Sequence, residues 1–250
     1  MIDVHVSLSR WPFRRVPGDE AAELVAMLRK QGVQQAWAGS FDGLLHKDIS
    51  AVNVRLATEC AAQRGFLVPF GSLNPQLPDW QEDLRRIHEV HKMRGIRLHP
   101  NYHGYSLKDP VAAEVLAAST KRGLAVQIVT AMEDGRTQHP LVRVPPVDPA
   151  PLTTLLPRLR GLRLMLLNSN TGTPNLPGVY VDFAMREGPY AVKNALKAVG
   201  ENRLVLGSHA PLFYFESAVL KMKEAGLTEV QTKAIGESNA RGFLESKHVL

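Results

Sequence analysis

Cysteine is almost missing from this chain: Cys60 is the single example in 250 residues. One thiol closes no internal disulfide and builds no cysteine-based zinc site, which fits a reducing, cytoplasmic setting. Its place in a helical pattern reads as core packing. Long apolar runs are missing too. None approaches the ~18 to 20 residues that cross a bilayer, and the opening MIDVH sets a charge where a secretory signal needs a cationic and then an apolar stretch. Neither export nor a membrane partner is expected. No Ser-, Gly- or Pro-rich tract divides the chain, so residues 1–250 read as one domain. Glycine is absent from VHVSLSRWPFR at the end of the first strand pattern. That removes the phosphate-cradling turn of an open dinucleotide-binding sheet.

Positive charge is present but dispersed. Thirty Lys and Arg against 24 Asp and Glu give +6, with a pI near 9.5. The densest groups, RWPFRR at 10–15 and RLRGLR at 158–163, are too short to track a duplex. Nucleic acid is not expected as a partner, whereas a small anionic, carboxylated substrate is. Homo-oligomerisation is left open by the sequence.

What the chain does contain is a repeat of short β-branched runs and longer helical patterns. Strands are expected at 2–8, 33–39, 66–73, 95–99, 124–130, 162–168, 179–183 and 203–207. Helices are expected at 19–30, 49–64, 79–91, 110–121, about 148–156, 190–199 and 215–225. With 44% hydrophobic residues the chain can bury a large core. Eight such units in this length predict an α/β fold, a single-domain (β/α)8 TIM barrel whose catalytic groups sit at the carboxyl ends of the strands. The 131–151 segment is too long and proline-rich for a simple connector, so it reads as a functional loop or lid.

Alternation along a strand sends every second side chain into the barrel. Asp3, His5 and Ser7 are expected on one face of the first strand, and Arg97 and His99 on one face of the fourth. Gln127 lies in the fifth, Asn168 ends the sixth and His209 follows the eighth. A lone strand-end histidine is usually a hydrogen-bonded structural residue, but His5, His99 and His209 fall at the same end of three strands, which points to a shared site. His46, His88, His91 and His248 lie outside that pattern. After the fifth strand come Glu133, Asp134, Arg136 and His139, either a cap on the site or a solvated turn. Arg10, Trp11 and Arg14 offer guanidinium forks and an aromatic wall for a planar carboxylate, or else a Trp-Pro plug. Tyr102 lies just beyond His99. Arg97, facing inward, needs an anionic partner such as Glu133, Asp3 or a substrate carboxylate. Asp182 and Glu187 read as surface carboxylates, with the alternative of orienting a His or a loop Arg.

The segments DVHVS, GIRLHPNYHGY, LNSN, LVLGSHAP and GESNARGFL together resemble the amidohydrolase superfamily, in its decarboxylase-like and lactonase-like branch. That resemblance implies an HxH pair on the first strand, a His on each of the fifth and sixth, and an Asp in a GSDxP segment on the eighth. Those residues would hold one or two divalent metals that activate water. Position by position, His5 matches the first His, while Ser7, Val129, Asn168 and His209 stand where the other four ligands belong. No cofactor is therefore expected. The alternative is one divalent ion such as zinc on His5 and His209, with His99, His103 or His139 as a third ligand.

The resulting expectation is a hydrolase acting on a small carboxylated lactone, ester or amide. His209 serves as general base, and His5, His99 and Asn168 position water and substrate oxygen. Arg10, Arg14, Arg97, Tyr102, Gln127, Glu133, Arg136 and His139 are the expected substrate-binding residues. A decarboxylase or other lyase on the same site, and a non-catalytic anion-binding protein, are the alternatives.

Overall fold

The computed structural model describes residues 1–170 and 176–246. Eight parallel strands run in chain order: β1 (Ile2–Leu8), β2 (Gln35–Ser40), β3 (Leu67–Ser72), β4 (Gly95–Leu98), β5 (Ala125–Val129), β6 (Leu164–Leu167), β7 (Tyr180–Asp182) and β8 (Leu204–Val205). The ring closes beyond the end of β8. Val4 N–H donates to Leu206 O, Ser7 N–H to Ala210 O and His209 N–H to His5 O, each at 2.9 Å. The fold is thus a (β/α)8 TIM barrel. Around it lie α1 (Ala21–Lys30), α2 (Ile49–Ala62), α3 (Trp80–Glu89), α4 (Pro100–His103), α5 (Pro110–Lys121), α6 (Leu152–Leu155), α7 (Ala191–Val199), α8 (Phe215–Glu224), α9 (Glu229–Lys233) and α10 (Asn239–Glu245). Among the described residues no helix is long and apolar enough to cross a membrane.

The helices form where spacing and capping allow. In α3, Trp80, Leu84 and Ile87 share one face and are buried, each contributing about 1.5–3 kcal/mol. Its opposite face carries Arg85 between Glu82 and Glu89. Asp48 caps α2 by accepting from Ala51 N–H, and Thr228 with Gln231 forms a capping box on α9. The helix expected over 148–156 is cut to α6 and a 3₁₀ turn at Leu156–Arg158. Pro149, Pro151 and Pro157 lack the N–H groups a longer α-helix needs.

Strand alternation sorts the core into two layers. Ala36, Ala38, Ile96, Leu98, Val126, Ile128, Leu164 and Leu166 meet the helices. Trp37, Ala125, Val129, Met165, Leu167 and Val205 fill the barrel. β1 departs from simple alternation: its pairing with β2 slips between Asp3 and Val6. The bulge puts Val4 with the interior cluster and Val6 with the helix layer. The sequence expectation that Asp3, His5 and Ser7 share one uninterrupted face is corrected by this bulge. Asp3 instead clips β1 to the end of β8, accepting from His5 N–H and Ser208 N–H at 3.0 Å and from the Ser208 hydroxyl.

Candidate active site

Three titratable side chains from three strand ends form one buried chain. His5 on β1 places Nδ1 2.9 Å from Asp182 Oδ2 on β7. Its Nε2 lies 3.1 Å from Nδ1 of His209, and His209 Nε2 lies 2.8 Å from the carbonyl oxygen of Met132 in the loop after β5. All three side chains are fully buried. Asp182 is oriented further by Asn168, whose backbone N–H donates to Oδ1 at 2.7 Å. Gly207 makes the approach possible, because a Cβ there would stand 2.6 Å from Asp182 Oδ2. Asn168 and His209 both adopt left-handed backbone, with φ of 57° and 62°. Asn tolerates this readily; a histidine there costs about 1 kcal/mol or more, a type of strain that gathers at functional sites.

Burial governs the charge states. It pushes the carboxyls of Asp182 and Asp3 up to about 7. It holds the imidazoles of His5, His99 and His209 well below their ordinary range, so these rings are neutral. Hydrogen-bond geometry then fixes the tautomers. The Met132 carbonyl can only accept, so His209 Nε2 carries a proton and its Nδ1 a lone pair. His5 Nε2–H donates to that lone pair, leaving His5 Nδ1 to accept from a protonated Asp182. All three bonds exist together only when the trio holds three protons. Remove one and the chain can invert: ionised Asp182 accepts from His5 Nδ1–H, His5 Nε2 accepts from His209 Nδ1–H, and the lone pair appears on His209 Nε2.

The residues 2–245 match the amidohydrolase family profile. The chain belongs to the amidohydrolase family. No curated protein matches it. Solved structures share its fold at low identity. A 2,6-dihydroxybenzoate decarboxylase from Rhizobium superposes with a TM-score of 0.76 at 13% identity, covering 98% of this chain and 99% of the other. A 5-carboxyvanillate decarboxylase from Sphingomonas paucimobilis gives 0.75 at 14%, covering 98% of each. A Pseudomonas putida protein described as a 2-pyrone-4,6-dicarboxylic acid hydrolase gives 0.66 at 18%, covering 97% and 96%.

This amidohydrolase does not carry the residues to hold the divalent metal its family implies. Both nitrogens of His5 and both of His209 face protein groups. Among the described residues no three His, Cys, Asp or Glu converge on one point. At the ligand positions that the family resemblance implies, Ser7, Asn168 and Val129 offer no imidazole. His139 is exposed, its Nδ1 accepting from Leu141 N–H. His103 Nε2 faces Gly43 O at 2.8 Å.

Other sequence candidates fall into clear groups. His99 stands at the mouth, 3% exposed, its Nδ1 without a hydrogen-bond partner, and Tyr102 is half-buried beside it. Arg97 does not face a ligand. It spans the barrel interior, donating to Gln127 Oε1 and to the carbonyls of Val6, Trp37 and Val4. The anionic partner expected for it is replaced by four neutral acceptors, and Gly39 leaves room for the guanidinium. Gln127 is equally committed, donating to Val4 O. Arg10 pairs with Glu20 on the barrel's flank, and Arg136 with Asp134 at the surface. Arg14 pairs with buried Glu133 at 2.7 Å. Trp11 is buried edge-on against Phe41. Cys60 is buried in α2, where its thiol is pushed up to about 12.

A cleft of about 1100 Å³ opens over the ends of β5 to β8. Ala131 and Glu133, on either side of Met132, line it together with Asn168, Arg186, Phe213 and Lys221. The Met132 segment therefore stands between His209 and the cleft. Sequence reasoning passed over Arg186 and Lys221 and read Asp182 first as a surface carboxylate; the structure buries Asp182 and bears out the alternative, a carboxylate that orients a His. Asp182 had a readable signal, as a carboxylate ending a strand in register with the other site residues; Arg186 follows it by four.

Proposed function

We propose that this amidohydrolase is a metal-independent hydrolase of a small lactone, ester or amide that carries a carboxylate. The observation that carries the reading is the buried chain Asp182–His5–His209, whose outer nitrogen points at the segment walling the cleft. In its two-proton form, Nε2 of His209 accepts a proton from water as the water oxygen attacks the substrate carbonyl. Collapse of the tetrahedral adduct expels the leaving oxygen or nitrogen, which takes that proton back from Nε2–H. His5 keeps the His209 ring in the required tautomer, and Asp182 does the same for His5, as the third member of a nucleophilic triad does. The neutral His99 ring offers an N–H toward the substrate oxygen.

A second reading, decarboxylation, is favoured by the three-proton form, in which the same nitrogen is a donor. A carbanion left by loss of carbon dioxide needs such a proton, and two of the structural relatives are named as aromatic acid decarboxylases.

The test incubates the protein with pyrone carboxylates, carboxylated aryl esters and hydroxybenzoates, following ring opening by absorbance and carbon dioxide by trapping. Hydrolysis predicts a ring-opened or ester-cleaved acid with no carbon dioxide. Release of carbon dioxide from a hydroxybenzoate would replace it with decarboxylation. Firm binding without turnover of any member would leave a ligand-binding protein.

A further inference from the structure

The arginines expected from the sequence to bind substrate are already spent, as their partners show: Arg10 on Glu20, Arg14 on Glu133, Arg97 on the barrel interior and Arg136 on Asp134. Arg186, four residues beyond Asp182, is different. It is 5% exposed and lines the cleft. Its Nε has no hydrogen-bond partner, and its Nη2 reaches only Ser169 Oγ at 3.4 Å. Among the described residues it makes no salt bridge. Asp182 attracts it electrostatically, but both oxygens of that carboxylate are engaged by His5 and Asn168. The remaining acids of the cleft are claimed too: Glu133 by Arg14, and Asp134 and Glu187 by Arg136.

A buried guanidinium with unused donors is costly unless an anion joins it. Arg97 illustrates the satisfied alternative, with a protein acceptor on every nitrogen. The cleft around Arg186 supplies a second cation, Lys221, whose ammonium donates to Ala184 O at 2.7 Å and keeps two further N–H groups. It also supplies an apolar wall from Met185, Leu212 and Phe213. A planar guanidinium fork in a cleft lined partly by apolar side chains suits a carboxylate carried on a ring, since the two oxygens of the carboxylate match the fork.

We infer that Arg186 is the substrate's carboxylate anchor, taking a planar ring carboxylate whose body lies on Phe213, Leu212 and Met185. This rests on the hydrolase reading for its substrate, but its binding test does not require turnover. Calorimetry should show benzoate binding wild-type protein at least tenfold more tightly than benzamide. Arg186→Gln should abolish that preference, whereas Arg136→Gln and His209→Asn should keep it. In wild-type protein, benzoate should also shield Arg186 from phenylglyoxal, read by peptide mass spectrometry. That measurement stands even if Arg186→Gln does not fold. Equal affinity for benzoate and benzamide, unshielded Arg186, or tighter binding of inorganic phosphate than of benzoate would overturn the assignment. Shielding in a protein that turns over nothing removes the hydrolase reading and keeps the anchor. Turnover with wild-type kcat/KM in folded Arg186→Gln removes the anchor and keeps hydrolysis.

Discussion

The Nε2 atom of His209 and the carbonyl oxygen of Met132 lie 2.8 Å apart, so the nitrogen proposed to take a proton from water is held as a donor. Loss of one proton from the trio turns that contact into two facing lone pairs. The base form of His209 therefore disfavours this contact.

The first prediction is a pH–rate profile. With Asp182 pushed up to about 7, the trio as a whole loses a proton near neutrality. The kcat/KM for a carboxylated lactone should rise about tenfold per pH unit below ~6.5 and level off above ~8. A flat profile, or one falling through this range, contradicts the base assignment.

Gly207→Ala tests how Asp182 is held. The new Cβ would sit 2.6 Å from Oδ2 and 2.7 Å from Cβ of Asp182, so the carboxylate must leave His5 or the strand must shift. A loss of about 1–3 kcal/mol is expected, together with a fall in kcat larger than the change in KM. Unchanged stability and kcat would mean that Asp182 is not packed as described.

Much of the barrel is legible in the sequence because β-branched runs and helical spacing are local signals. All eight strands fall where the residue pattern puts them, and His5, His99 and His209 do come to one end. The electrostatics are not local. The role of Asp182 depends on β7, β8 and β1 closing side by side and on a glycine at 207. Arg97 needs carbonyls from β1 and β2, made available partly by the β1 bulge. The arginines near the mouth look alike in sequence, and only folded distances show that Arg10, Arg14 and Arg136 are paired while Arg186 is not. Asp134-Gly135-Arg136 was a readable self-neutralising turn.

Acid should destabilise the fold. His5, His99 and His209 are held neutral by burial, well below the ordinary imidazole range. Below pH ~6.5 the unfolded chain takes up three protons that the folded one does not. Asp3 and Asp182, pushed up to about 7, work the other way, since the folded chain keeps two protons that unfolded Asp releases above ~4. Three minus two leaves one more proton on the unfolded chain, and the lowered imidazole of His103 acts in the same direction. Stability should fall by at least roughly 1 kcal/mol per pH unit between pH 6 and 4.5. Denaturant unfolding at pH 7, 6 and 5 measures this, and greater stability at pH 5 than at pH 6 would contradict it.

Metal content provides a further check. Protein purified without added metal should carry well under one equivalent of zinc, iron or manganese by elemental analysis. Chelation followed by dialysis should leave its turnover unchanged. A stoichiometric ion that survives dialysis, and whose removal ends activity, would contradict the donor-set argument.

The most direct test replaces His209 itself. His209→Asn preserves much of the volume and some hydrogen bonding but removes the proton acceptor, and loss of a general base costs ~10²- to 10⁴-fold in rate. Turnover of a carboxylated lactone or ester should fall within that range while its affinity changes less than about threefold. Hydrolysis by folded His209→Asn at the wild-type rate would contradict the account.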